Sequence, residues 1–359
     1  MADRVFIIAE AGVNHNGDGE MALALVDAAA RAGADAVKFQ TFKAESLAAA
    51  SAAKAEYQKA AGAGGESQLE MLRRLELGEE RHRELMGRSA ERKIQFLSSP
   101  FDTASLDFLV NGLALETLKI PSGEITNGPL LLAAARSGAA VICSTGMSTM
   151  EEVADALAVL AFGYATADER PSGEAFAKAF AAKAGQRALG EKVVLLHCTS
   201  QYPAPFEDVN LKAMDTLADA FGLPVGLSDH SPGISVPIAA AARGASLIEK
   251  HFTLDRSLPG PDHKASLEPG EFGEMVKAIR QIEAALGDGV KQPAPAEMGT
   301  REVVRKSLMS ACPLSRGQAF TAATLAVKRP GGGISPMRYW DWLGRPANRD
   351  YSEDEPIEA

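Results

Sequence analysis

Apolar residues recur along the chain in short runs rich in β-branched side chains: VFIIAE (Val5–Glu10), AVKFQ (Ala36–Gln40), IQFLSS (Ile94–Ser99), ETLKI (Glu116–Ile120), AAVICST (Ala139–Thr145), VVLLHCT (Val193–Thr199), PVGLS (Pro224–Ser228) and SLIEKHF (Ser246–Phe252). Each suits one buried strand. Between them lie alanine- and leucine-rich stretches with apolar positions three and four apart, such as EMALALVDAAARAG (Glu20–Gly33), which ends on a helix-stopping glycine, and GEFGEMVKAIRQIEAAL (Gly270–Leu286). Eight alternations of strand and helix before residue 287 predict an α/β chain folded as a (β/α)8 TIM barrel. An open doubly wound sheet shares the alternation, but no GxGxxG turn supports it.

Two connections are long. Thr41 to about Gly78 follows the second run, on the face where barrel enzymes keep their sites, and is expected to be a lid or substrate loop. Gly163 to Lys192 precedes the sixth run and is expected on the opposite face, in a structural role. The pattern changes at KQPAPAEMGT (Lys291–Thr300), a proline-containing linker. The expected division is a barrel over 1–287, a linker over 288–300, a small domain over 301–350 and an acidic tail over 351–359, the tail solvated and disordered.

Read in order, the C-terminal ends of the runs carry Glu10, Lys38 with Gln40, Ser98 with Ser99, Lys119 with Ser122 and Glu124, Ser144, Thr199 with Tyr202, Ser228 with His230, and His251. In a barrel these ends converge on one cavity, so the pattern predicts a catalytic centre. His230 and His251 close adjacent strands, and two neutral imidazoles with no third nitrogen or thiolate suit a divalent ion that keeps positions open for substrate. Lys38 and Lys119, with Ser99, Ser122, Ser144 and Ser228, suit a ligand carrying phosphate and carboxylate. Either lysine could instead form a Schiff base with a ketone.

Composition narrows the setting. The 359 residues are 46% hydrophobic, enough for a large core, and the formal net charge of -10 argues against a nucleic-acid partner. Three widely spaced cysteines suggest neither a disulfide framework nor a zinc site, and no run is long enough for a membrane span or signal peptide, so the expected location is the cytoplasm.

The motifs IIAEAGVNHNG, AVKFQTF, FLSSPFD, LKIPSGEITN, STGMST, LHCTSQYPAP, GLSDHS, IEKHFTLD with GPDHKASLEP, and VKRPGGG together resemble the sialic acid synthase family, in order over nearly the whole chain. The resemblance implies a C-terminal antifreeze-like (SAF) domain and a transferase that condenses phosphoenolpyruvate with N-acetylmannosamine or a related acetamido sugar, releasing phosphate. Legionaminic or pseudaminic acid synthesis from a diacetamido-trideoxyhexose is the alternative, and a Schiff-base aldolase or lyase a more distant one. By position, Lys38, Ser99, Lys119, Ser122, Ser144 and Ser228 match residues that hold phosphoenolpyruvate, and His230 and His251 match ligands of manganese, which magnesium or cobalt could replace. Glu10, Gln40, Tyr202 and Asp262 match sugar-side residues. Arg329 matches a catalytic arginine delivered by the partner subunit of a domain-swapped homodimer, and Glu124 also fits the motif. Two positions depart: Ser99 stands where some members have threonine, and Ser200 where some N-acetylneuraminate synthases have asparagine. Glu10 is the candidate for proton handling.

Overall fold

All eight apolar runs form strands: β1 (Phe6–Gly12), β2 (Ala36–Thr41), β3 (Gln95–Pro100), β4 (Thr117–Ile120), β5 (Ala140–Ser144), β6 (Val193–Cys198), β7 (Val225–Asp229) and β8 (Leu247–His251). The computed structural model describes residues 4–49, 51–52, 54, 67–166 and 169–359, and divides the chain into two units, Met1–Gly287 and Asp288–Ala359. The strands make one parallel sheet in the order β3-β2-β1-β8-β7-β6-β5-β4, and β3 lies beside β4. The sheet is therefore a nearly closed barrel wrapped in helices, as a (β/α)8 fold requires.

The two-residue period of each strand decides what faces inward. Ile8, Ala36, Leu97, Ile142, Leu196 and Leu247 form a buried cluster in the barrel lumen. Glu10, Lys38, Ser99, Ser144, Cys198 and Glu249 each follow one of these by two residues. The lumen is thus plugged by hydrocarbon below and lined by chemistry one layer above. The opposite strand faces pack on the helices: Ile7, Val37, Phe39, Leu118, Val141, Leu195, Leu227 and Ile248 belong to the large core shared with the helical layer.

The helix Gly19–Arg31 shows how that layer is built. Asp18 accepts from the backbone N–H groups of Glu20 and Met21, capping the start, and Gly33 at φ 85° takes the left-handed turn that ends it. Its fully buried Leu25 and Val26 contribute about 1.5–3 kcal/mol each by burial. Among the described residues no helix is long and apolar enough to cross a membrane.

In the connection after β2, the short helix Ala44–Leu47 packs near the helix Gln68–Leu75, whose Ser67 and Glu70 form a capping box. Residues 50, 53 and 55–66 of the expected lid lie outside the described residues, as do 167–168 of the connection before β6. That second connection carries the helices Gly173–Ala181 and Lys183–Lys192, and Phe176 stacks edge-on against Phe162 at 5.2 Å.

In the second unit, β9 (Ser307–Ser310) pairs antiparallel with β10 (Leu325–Lys328) over a core of Leu308, Leu314, Phe320, Leu325, Trp342, Ala347, Tyr351 and Ile357. The end of the expected linker is helical, Met298–Val304. The tail corrects the expectation of disorder: Ile357 is 1% exposed, its N–H donates to the Leu308 carbonyl at 2.9 Å, and Arg349 pairs with Glu355 and Glu358. Buried Tyr351 and Ile357, backbone bonds to Leu308, Ser310 and Leu314, and the Arg349 ion pairs anchor a segment whose composition reads as solvent-loving.

Candidate active site

The strand ends enclose a cavity of about 480 Å³, within the range of ordinary ligand sites. Its floor is ionic. Lys38 Nζ lies 2.6 Å from Glu10 Oε2, 3.7 Å from Glu249 Oε2 and 3.1 Å from Ser99 Oγ. Lys119 Nζ lies 3.2 Å from Glu249 Oε1, which also accepts from Ser228 Oγ at 2.9 Å. Glu249 therefore joins both lysines to a hydroxyl. Sequence reasoning missed it, although counting back two residues from the inward-facing His251 points to it. Gln40, Ser122, Glu124, Ser144, Tyr202 and Asp262 also line the cavity, as do Ser200 and Cys198. Arg329 belongs to the second unit, where it follows β10 and is exposed.

Gly12 explains the local backbone at Glu10. It sits at φ 52°, and a Cβ there would meet Glu10 Oε1 at 3.1 Å and Gln40 Nε2 at 3.3 Å. The β1–β2 register also shifts between Glu10 and Gly12, the kind of bulge that re-aims a side chain at a barrel rim.

Burying four charges in one cluster redistributes their protons. Burial, aided by the Glu249 charge, outweighs Lys38 and pushes Glu10 from the ordinary 4.5 up to about 7. Burial also opposes a charge on Glu249, but Lys119 and Lys38 prevail and hold it down at about 2. Burial favours a neutral Lys38, yet Glu10 and Glu249 raise its pKa, so this lysine stays protonated and is a poor Schiff-base nucleophile. The floor holds two ammonium groups, one firm carboxylate and one carboxylic acid poised to give up its proton near neutrality. That combination suits a dianionic phosphate with a carboxylate beside it, plus a proton transfer.

At the rim, the rings of His230 and His251 lie 5.2 Å apart, with the Tyr202 ring 4.1 Å from the first and 5.3 Å from the second. His230 Nδ1 donates to the Thr199 carbonyl at 2.7 Å, so in the neutral ring it is Nε2 that carries the lone pair. His251 Nδ1 is buried with no hydrogen-bond partner, 3.8 Å from Asp262 Oδ2. Burial, then the nearby cations, hold the His251 pKa well below the imidazole range, so its ring is neutral. Burial raises Asp262 to about 6. Burial opposes charge on His230 too, but Cys198, 3.8 Å away, reverses the balance and raises its pKa. The two imidazoles are the nitrogen donors a divalent cation would use here; among the described residues no group of three or more His, Cys, Asp or Glu side chains is arranged to hold a metal ion, so the remaining ligands would be oxygens of substrate and water.

One wall differs. Leu47, Ala48, Met71, Leu72 and Leu75 from the connection after β2, with Val13 and Phe101, line the cavity and form an apolar cluster of their own. The site is ionic below and hydrocarbon on one side.

Comparison with known proteins agrees with this chemistry. The NeuB family model matches residues 25–291. N,N'-diacetyllegionaminic acid synthase of Campylobacter jejuni is 47% identical over 99% of both chains, and the enzyme of that name from Legionella pneumophila is 48% identical over 94% of this chain and 89% of its own. A crystal structure of N-acetylneuraminic acid (sialic acid) synthetase from Leptospira borgpetersenii, 35% identical, matches with a TM-score of 0.68 over 83% of this chain and 90% of its own. Because the match spans most of the barrel unit and nearly the full length of these relatives, the chain belongs to the NeuB family of phosphoenolpyruvate-condensing, sialic acid-type synthases.

Proposed function

We propose that the protein condenses phosphoenolpyruvate with a diacetamido-trideoxyhexose to give an acid of the legionaminic type. The observation that carries this reading is the 47% identity to a diacetyllegionaminic acid synthase over 99% of both chains. It displaces N-acetylmannosamine, which the motifs alone placed first. The apolar wall supports the change, because two acetamido groups and a deoxy carbon offer methyls where a plain hexosamine offers hydroxyls. Ser200, smaller than asparagine, leaves room for the second acyl group.

Lys38 and Lys119 balance the phosphate and carboxylate of phosphoenolpyruvate, with Ser99, Ser122, Ser144 and Ser228 donating hydrogen bonds. Gln40, Glu124, Tyr202 and Asp262 orient the sugar. His230 and His251 hold a divalent cation, manganese by preference, which when bound supplies Lewis-acid polarisation of the sugar aldehyde. C3 of phosphoenolpyruvate attacks the aldehyde carbon, water adds at C2, and the resulting hemiketal phosphate loses phosphate by C–O cleavage. Glu10 delivers the proton that the new hydroxyl requires. The second unit, read as an antifreeze-like module, brings Arg329 to the sugar of a partner subunit in a homodimer.

The test is phosphate release from phosphoenolpyruvate with three acceptors: N-acetylmannosamine, its 6-phosphate and 2,4-diacetamido-2,4,6-trideoxymannose. The last should be preferred by kcat/KM. Preference for either of the others overturns the assignment.

A further inference from the structure

Two charged residues on the outer face of the barrel wall flank the histidine pair. Lys250, 0% exposed, stands opposite Asp229 in the β7–β8 register, with Nζ 2.5 Å from Asp229 Oδ2. The same ammonium group donates to the Ser231 carbonyl, and the Ser231 N–H donates to Asp229 Oδ1 at 3.0 Å. These bonds close a ring around the tripeptide Asp229-His230-Ser231. Lys250 is also the residue between Glu249 and His251. One ammonium group thus fixes both ends of the segment carrying His230 and sits on the strand carrying His251.

A wholly buried ion pair is a poor stabilising device. Desolvation costs several kcal/mol per ion, and hydrophobic residues of similar volume often stabilise as well or better. Neighbouring outward positions follow that rule, since Leu227 and Ile248 pack into the helical core. What the pair supplies beyond packing is direction: two charge-assisted bonds and an Asx turn admit one arrangement of the tripeptide, where leucine and methionine would admit several.

We propose that Lys250 and Asp229 form a positioning pair that sets the His230 and His251 rings at their mutual distance and angle, and so sets the affinity of the site for a divalent cation. The proposal rests on the reading of these histidines as metal ligands. Lys250 and Asp229 touch neither substrate nor metal and act through the backbone.

The test compares the full-length wild type, Asp229→Leu/Lys250→Met and, as a control, His251→Ala, measuring Mn2+ binding by electron paramagnetic resonance alongside thermal unfolding. The double variant removes both charges, methionine matching the lysine in volume and leucine keeping the branched shape of the aspartate. Its melting temperature should fall only by the several degrees that the unpaired Ser231 N–H and carbonyl cost, leaving it folded at 25 °C, while Mn2+ affinity falls by about 10–100-fold, the scale of lost support behind a ligand. Phosphoenolpyruvate affinity without metal, held by Lys38 and Lys119, should not change. Wild-type Mn2+ affinity in the folded double variant overturns the positioning role alone. Equal Mn2+ binding by wild type and His251→Ala overturns the metal reading and this proposal with it. If the double variant does not fold, Asp229→Asn, which keeps an acceptor for the Ser231 N–H, is measured instead. Metal-free NMR then follows the His230 Nδ1 proton donated to Thr199: faster exchange than in the wild type is expected, and unchanged exchange with unchanged Mn2+ affinity overturns the proposal.

Discussion

Replacing Glu10 with glutamine tests the electrostatics of the cavity floor. Glutamine mimics the neutral acid in shape and charge, so the stability of the variant should differ from that of the wild type only where Glu10 has lost its proton. Burial raises the pKa of Glu10 from 4.5 to about 7, which means the fold holds this proton more tightly than the unfolded chain does. Its contribution to stability is therefore fully present below about pH 4.5 and is lost as pH rises through about 7. A rise from 4.5 to about 7 corresponds to roughly 3 kcal/mol. Glu10→Gln should match the wild type near pH 4.5 and become the more stable protein by about 3 kcal/mol above pH 7. Denaturant unfolding at a series of pH values measures this directly. Turnover should move the other way, falling by about 10²–10⁴-fold as the proton donor is lost. Stability curves for the two proteins that run parallel from pH 4.5 to 8 would refute the assignment.

Other outcomes follow from the same structure. Lys119→Met should weaken phosphoenolpyruvate binding about 10–100-fold by calorimetry, the scale of one charged hydrogen bond, while Lys119→Arg keeps part of it; trapping of a pyruvate adduct on Lys119 by borohydride would favour the Schiff-base alternative. His230→Ala and His251→Ala should abolish turnover in folded protein, and chelator should mimic both, reversibly with Mn2+; full activity in metal-stripped protein contradicts this. Ile357→Ala should destabilise the second unit by about 2–5 kcal/mol in thermal unfolding, because the side chain is buried in its core. A disordered tail would leave the transition unmoved.

The barrel was legible in the sequence because its strands, buried on both faces, read as continuous apolar runs, and because ligand-capable residues close nearly all of them. Lys38, Ser99, Lys119, His230 and His251 follow from that rule alone. Glu249 escaped because it sits inside a run rather than at its end, and only the two-residue period brings it inward. Lys250 and Asp229 escaped for the opposite reason: outward positions of a barrel strand are expected to be hydrocarbon, and a pair of opposite charges there becomes intelligible only when the register sets them side by side. The apolar wall assembles from positions as far apart as Val13 and Phe101, which no local pattern links. Composition misled at the tail, where its many acidic residues mask the buried Ile357.

On the proposed function, this cavity joins C3 of phosphoenolpyruvate to a sugar aldehyde and breaks the C–O bond, with water entering at C2. Phosphoenolpyruvate carrying heavy oxygen at its bridging position, turned over with 2,4-diacetamido-2,4,6-trideoxymannose, tests it in one mass spectrum of both products. The products should be a new acid without the label and phosphate that carries it. Label retained in the acid would mean attack at phosphorus, and would contradict the mechanism at its decisive step.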